Sequence, residues 1–201
     1  DYYASRGLGD VYKRQVFNQT HTAFCNQQVR QGFIRAIDRS VLEEYFQKSK
    51  QENLRVYDRL IPPTISLFTQ SYTEQTSVTT KNTYDPQAAY QSYRAGMDEL
   101  EADTLRKIQL LVPSDSSIPE MCGLLQQAWQ STLAVSVNIE EVSRDELSSR
   151  LSIGDYQVAL VPLKASANTP TDILSRFTSS STSNISAYKN PSFDSIVEGA
   201  G

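Results

Sequence analysis

Few residues of this chain have the types and spacing that catalysis or metal binding needs. His21 is the only histidine among the 201 residues, so a Ser-His-Asp device would have to use it, yet its polar surroundings favour a solvated side chain. His21 does not have zinc-site spacing with Cys25 and Cys122. The carboxylates between positions 98 and 103 do not match an EF-hand loop and are typical of a solvated helix end. The sequence therefore predicts no catalytic residue and no metal site.

Motifs and charge exclude two further classes of site. The glycine-rich patterns G-x-G-x-x-G and G-x-x-x-x-G-K-[ST] are absent, which removes the usual phosphate cradle. The formal net charge is -4, with acids and bases interspersed, so no basic face for nucleic acid is expected. Two cysteines are too few for a disulfide framework, and nothing in the sequence supports a bridge between them. We predict no cofactor and no nucleic-acid partner.

Three strands are predicted between Leu105 and Leu163. Apolar residues alternate over 106–113 and 134–142, which is typical of strands with one buried face. The third strand, 156–163, is apolar on both faces, as in a strand covered from both sides.

Two helices connect these strands. Apolar residues recur at three- and four-residue steps over 118–133, and Cys122 and Trp129 fall on this buried stripe. Ser143 is typical of the residue that caps a second helix, which Gly154 would end. The alternation predicts an α/β fold with parallel strands. Ligands of such sheets bind beyond the carboxyl ends of the strands, so the loop after Leu163 is the first candidate site.

Shorter helices are predicted on both sides of this unit. Asn26 and Asp38 have the residue type that caps helices, here over 26–37 and 39–46. Asp85-Pro86 opens a helix that we expect to stop at Gly96. Further helices are predicted over 171–177 and after Asn190-Pro191, whereas 60–63 is expected to be extended and 69–83 to form a surface loop.

The first fifteen residues resemble a sequencing adapter. Residues 10–15 read Asp-Val-Tyr-Lys-Arg-Gln, the translation of a transposon end that is used to prepare sequencing libraries. We therefore assign 1–15 to an artefact, leave it out of the predicted fold, and expect native sequence over 16–201. We also expect the native protein to extend beyond both ends of this chain.

Six segments resemble, in order, the extracellular solute-binding proteins of ABC importers, in the oligopeptide- and dipeptide-binding family (family 5). Each segment is short, but together they keep the family's order over residues 29–194. They are Val29–Arg39, Leu60–Pro63, Tyr84–Ala89, Ile108–Pro113, Gly154–Tyr156 and Asn190–Asp194.

The resemblance implies a periplasmic-binding-protein-like lobe with a βαβαβ core and additional helices. Residues 16–201 would be a fragment of the second, carboxyl-side lobe of a two-lobed protein. The implied role is binding and not catalysis: two lobes close on a peptide or other small solute and present it to the ABC permease subunits in the membrane. The full-length protein is then expected outside the cytoplasm, in the periplasm or as a cell-surface lipoprotein.

The same resemblance concerns the loop after Leu163. Peptide-binding members carry an aromatic and an acidic residue there, and the acid pairs with the amino terminus of the peptide. This chain has Lys164 at the start of the loop and no carboxylate before Asp172, and a lysine has the wrong sign for an ammonium group. Either the amino terminus is held elsewhere, or the ligand is not a simple peptide. We predict that Lys164, Ser166 and Asn168 line the cleft.

An intracellular α/β regulatory or enzyme domain, whose site lies outside this chain, is the alternative interpretation. The upstream gene sequence distinguishes the two, because a lipobox-type signal favours the binding protein and a cytosolic start favours the alternative.

Overall fold

A computed structural model describes residues 3–5, 11–48, 55–57, 66–67, 70–71, 83–102, 105, 107–114, 119–164 and 169–200. Within these ranges the strands are β1 (Tyr3–Ser5), β2 (Val11–Phe17), β3 (Arg55–Tyr57), β4 (Ser66–Leu67), β5 (Gln70–Ser71), β6 (Lys107–Pro113), β7 (Ser136–Val142) and β8 (Val158–Lys164). The helices are α1 (Gln27–Arg35), α2 (Arg39–Lys48), α3 (Pro86–Glu99), α4 (Pro119–Leu133), α5 (Arg144–Ile153), α6 (Pro170–Leu174) and α7 (Pro191–Gly199), and a 3-10 turn (Ser175–Phe177) follows α6.

The main sheet of the fold has six strands, some parallel and some antiparallel. Its strand order is β3-β1-β2-β8-β6-β7. β6 runs parallel to both of its neighbours, β7 and β8, and Ile108 lies opposite Val137 in the register. The predicted strand–helix–strand–helix–strand unit is therefore confirmed, with its third strand next to its first. The short β4 and β5 form a separate antiparallel pair.

β2 extends the sheet beyond the predicted unit. It pairs antiparallel with β8 along its whole length, from Val11 opposite Lys164 to Phe17 opposite Val158. Residues 11–15, which the sequence analysis leaves out of the fold, thus form the first part of this strand. Pairing does not reveal where a coding sequence came from, so the adapter origin of 1–15 stays a prediction.

The two faces of the sheet bury separate apolar clusters. One face packs against α1, α3 and α4, where the indole nitrogen of Trp129 donates a hydrogen bond to the Phe33 carbonyl at 2.9 Å. The other face packs against α5 through Leu147 and Leu151. Trp129 and Cys122 are fully buried, as their positions on the apolar stripe predict. Among the described residues, no helix is both long and apolar enough to cross a bilayer.

Helix starts follow the predicted capping residues. Asn26, Asp85, Ser143 and Asn190 each accept hydrogen bonds from backbone N–H groups in the first turn of the helix that follows. Asp38 does the same for α2, where its carboxylate accepts from the Ser40 N–H at 3.0 Å. The segment 60–63, which is expected to be extended, lies outside the described residues.

The predicted stop at Gly96 is wrong. α3 continues through Gly96 to Glu99, because this glycine serves packing between helices. A Cβ at Gly96 would lie 2.7 Å from the Val29 backbone nitrogen, so only glycine lets α3 approach α1 this closely. Gly154, by contrast, ends α5 as predicted, at φ 74°.

Candidate functional site

The carboxyl ends of the three parallel strands meet at one edge of the sheet. β6, β7 and β8 end at Pro113, Val142 and Lys164, and the Ser114 N–H donates to the Val142 carbonyl at 2.8 Å. Each strand is followed by a helix, so the amino ends of α4, α5 and α6 are directed to this same edge. This is the edge at which open α/β sheets bind ligands.

The structure places one of the three predicted ligand-binding residues and leaves two outside the described ranges. Lys164 is the last residue of β8, at the carboxyl edge. Ser166 and Asn168 lie in 165–168, outside the described residues. The far end of this loop is anchored by Thr169, whose hydroxyl accepts from the Asp172 N–H at 3.3 Å. That these three side chains converge on a ligand stays a prediction.

Asp172, the first carboxylate after β8, is engaged within its own helix. Its Oδ2 lies 3.8 Å from Nη2 of Arg176, and the Arg176 Nε–H donates to the Asp172 carbonyl at 3.3 Å. Both side chains are about four-fifths buried, with exposed fractions of 20% for Asp172 and 24% for Arg176. Asp172 is therefore not presented as a partner for a ligand ammonium group.

A polar recess of about 670 Å³ lies at the opposite edge of the sheet. It opens where β6, β7 and β8 begin, on the face that α5 covers only in part. Sequence reasoning did not find it, although polar residues at alternating strand positions were a signal: Gln109 lies opposite Asn138 in the register, where the face would otherwise be apolar. The side chains of the recess come from the strands β6 and β7, from α5, from the segment between α5 and β8, and from the turn after β2: Asn18, Thr20, His21, Thr22, Lys107, Gln109, Asn138, Arg150, Asp155, Tyr156 and Gln157.

Most polar groups of this recess are paired with protein. Asn18 donates to the carbonyls of Gly154 and Tyr156, both at 2.9 Å, and accepts from the Thr20 hydroxyl at 2.7 Å. Arg150 lies 3.0 Å from a Glu140 oxygen and 3.3 Å from an Asp155 oxygen. These contacts fix the end of α5 against the turn after β2.

Tyr156 forms the inner wall of the recess. Its hydroxyl donates to the Ile185 carbonyl at 2.5 Å, and burial raises the pKa of this phenol well above its ordinary value. Tyr156 therefore stays neutral and acts as a structural donor.

His21 is not the solvated side chain that its polar neighbours predict. Its Nδ1 accepts from the Ala23 N–H at 3.3 Å, and its Nε2 lies 3.2 Å from Nε2 of Gln157. Its ring packs on Phe24 with the ring centroids 5.5 Å apart. Because the imidazole is partly buried, its pKa is lowered from 6.5. The partner Gln157, directly before β8, is distant in sequence, so local composition could not reveal it.

Metal-ligating residue types and cysteines occur at several places in the described part of the chain. No three His, Cys, Asp or Glu side chains come together there as a possible metal site. Cys25 is exposed, Cys122 is buried, and neither forms a disulfide.

Several solved structures have a fold similar to that of this chain. A peptide-binding protein of a peptide ABC transporter shares 20% identity at a TM-score of 0.82, over 99% of this chain and 85% of that chain. Listeria monocytogenes OppA bound to peptide shares 19% identity at a TM-score of 0.83, over 98% of this chain and 39% of that chain. The substrate-binding domain of a Bacillus anthracis oligopeptide ABC transporter shares 17% identity at a TM-score of 0.86, over 100% of this chain and 38% of that chain.

These similarities confirm the predicted α/β, periplasmic-binding-protein-like fold. Against the Listeria and Bacillus proteins, the chain spans about two-fifths of the length. A comparison with curated proteins finds no match.

A family model gives the sequence-level assignment. The model described as bacterial extracellular solute-binding proteins, family 5 Middle, matches residues 4–184, which is most of the chain. The chain therefore belongs to the bacterial extracellular solute-binding proteins of family 5.

Proposed function

We propose that this chain is part of the substrate-binding component of an ABC importer that takes up peptides or a related small solute. The observation that carries the proposal is the family match over residues 4–184. The structures of similar fold support it, since they are named as peptide-binding or oligopeptide-transport proteins. The family is one of extracellular proteins, which disfavours the alternative of an intracellular regulatory or enzyme domain.

Binding by closure of two lobes fits this chain as one lobe. Ligand contacts from both lobes stabilise the closed state of such proteins, and the chain spans only 39% of the peptide-bound Listeria protein. We assign 16–201 to the carboxyl-side lobe. Its closed form would dock on the permease subunits, and a lipoprotein anchor would hold the complete protein at the cell surface.

The carboxyl edge of the sheet is the proposed contact surface. Lys164 ends β8 there, and Ser166 and Asn168 follow in the same loop. A lysine ammonium attracts a ligand carboxylate and repels an ammonium group. For a peptide ligand we therefore propose that Lys164 faces the carboxyl terminus and that the amino terminus is held elsewhere. A ligand other than a simple peptide would use the same lysine for another anionic group.

The proposed contact between Lys164 and the peptide carboxyl terminus is tested in the two-lobed protein with two variants and two kinds of peptide. We expect Lys164→Ala to weaken binding of peptides with a free carboxyl terminus about tenfold or more, and of carboxyl-amidated peptides much less, measured by titration calorimetry. Lys107→Ala is the matched control, because this exposed lysine begins β6 at the opposite edge of the sheet. Unchanged affinity in Lys164→Ala would remove Lys164 from the site.

A further inference from the structure

The ring nitrogens of His21 both face hydrogen-bond donors. The Ala23 N–H points at Nδ1 from 3.3 Å, and the Gln157 side-chain nitrogen lies 3.2 Å from Nε2. An imidazolium ring carries two N–H donors and no acceptor, so it can accept from neither group, whereas a neutral ring carries one acceptor nitrogen and one N–H and can accept from one of the two. The geometry therefore suits the neutral ring and opposes the protonated one.

The orientation of the Gln157 amide is set from its other end. Its Oε1 accepts the Gln109 N–H at 2.7 Å, so its nitrogen is the atom directed at His21. Turning the amide over would present oxygen to the imidazole, but it would also set the amide nitrogen against the Gln109 N–H. The backbone of β6 thereby fixes Gln157 as a donor toward His21.

We propose that His21 and Gln157 form a pH-sensitive latch, which fastens the turn over residues 18–26 to the amino edge of the sheet while the imidazole is neutral and loosens when it is protonated. The turn connects β2 to α1, and His21 also packs on Phe24 and accepts the Cys25 N–H through its carbonyl at 2.9 Å. Loosening this residue would therefore affect the connection between the sheet and α1.

Among the residues that the structure describes, no charged side chain near the latch is hydrogen-bonded to the imidazole. Lys107 on β6, Arg150 on α5 and Asp155 after α5 line the same recess, and the Asp155 carboxylate lies 3.3 Å from the Arg150 guanidinium. On the other side of the turn, Arg30 of α1 donates to the Phe24 and Cys25 carbonyls, and Glu99 of α3 accepts from Asn26. Burial is the cause that lowers the pKa of His21.

Because burial lowers the pKa of His21, the stability of the folded chain should decrease at acidic pH. The folded chain has a lower His21 pKa than the unfolded chain, whose value is about 6.5. Protonation therefore favours the unfolded chain, and stability present above about pH 6.5 is lost as the pH falls below it. Because the family is extracellular, the latch would be exposed to the pH of the surrounding medium.

The single histidine makes the first experiment unambiguous. NMR titration of the imidazole protons in the 201-residue chain should give a midpoint below 6.5. Gln157→Glu should move this midpoint above 6.5, because a carboxylate still accepts the Gln109 N–H and now also accepts from the imidazolium. Asn138→Asp is the matched control: it adds the same charge to the recess from β7 without a contact to His21, and should shift the midpoint much less.

A second measurement does not depend on the Gln157 variant. Unfolding by denaturant from about pH 8 to about pH 5 should show a larger loss of stability in the native chain than in His21→Gln, which cannot titrate. A native midpoint at or above 6.5, or equal pH dependence in the native chain and His21→Gln, would overturn the latch. Equal midpoints in Gln157→Glu and Asn138→Asp would also overturn it, since general charge and not the contact would then set the pKa.

Discussion

Single residues decide how closely α1 and α3 approach each other. A Cβ at Gly32 would lie 2.8 Å from the Tyr93 Cβ and 2.9 Å from the Ala89 carbonyl oxygen. The atoms that would be struck belong to the backbone or to its first side-chain carbon, so they cannot turn away. We expect Gly32→Ala to lower the free energy of unfolding by about 1–3 kcal/mol through overpacking, measured by denaturant unfolding.

Gly123→Ala is the control for Gly32→Ala. Gly123 also lies inside a helix, α4, but apart from the adjoining backbone of that helix no described atom lies within 4 Å of a Cβ placed there. The alanine should stabilise the chain by about 0.5–1 kcal/mol, because it restricts the unfolded chain more than glycine does. If both variants changed stability in the same direction, the close approach at Gly32 would not be the cause.

Residues with local determinants were predictable, and residues with distant partners were not. The apolar stripe of α4 identified Trp129 and Cys122 as buried. Gly96 and His21 were misjudged, because their roles depend on α1 and on Gln157 before β8, which are distant from them in the sequence. Arg30 donates to the Phe24 carbonyl at 2.7 Å and so helps to close the turn before α1, a contact that no local pattern indicates.

Helix capping determines where α3 begins. The Asp85 carboxylate accepts the Ala88 N–H at 2.9 Å, and Pro86 occupies the first turn. Asp85→Ala should lower the free energy of unfolding by about 1 kcal/mol, since the first-turn N–H loses its acceptor. Thermal or denaturant unfolding measures the change.

Asp98→Ala provides a comparison within the same helix and with the same change in net charge. Within the described residues, the Asp98 side chain pairs with Arg94 alone, at 3.3 Å, and it is 70% exposed. Its removal should cost no more than a few tenths of a kcal/mol. A loss as large as that of Asp85→Ala would indicate that charge, and not capping, explains both.

At the scale of elements, local periodicity predicted β6, α4, β7, α5 and β8, but not the strand beside β8. Val16 lies opposite Ala159, and such long-range pairing leaves no local pattern in a seven-residue strand. The predicted carboxyl-edge site follows from topology alone, so the position of Lys164 could be anticipated. For the polar recess the only local signal was the polar pair of Gln109 and Asn138, because the recess combines β6 and β7 with the turn after β2, α5 and the segment before β8.

At the scale of the whole molecule, we propose that the chain acts as one lobe of a two-lobed binding protein. The three parallel strands direct their carboxyl ends and the following loop to one edge, and the described carboxylate nearest that loop, Asp172, is held by Arg176. A ligand held by this edge alone would make about half of the contacts of the closed protein. Because each loss of about 1.4 kcal/mol weakens binding tenfold, the affinity of one lobe should be far below that of two.

Titration of peptides into the 201-residue chain alone, beside the complete two-lobed protein, tests this account most directly. Cooperative unfolding of the chain, followed by circular dichroism, first establishes that it is folded. The account predicts tight binding to the complete protein and a Kd weaker than about 1 μM for the chain alone. A Kd of about 1 μM or tighter for the chain alone would contradict it.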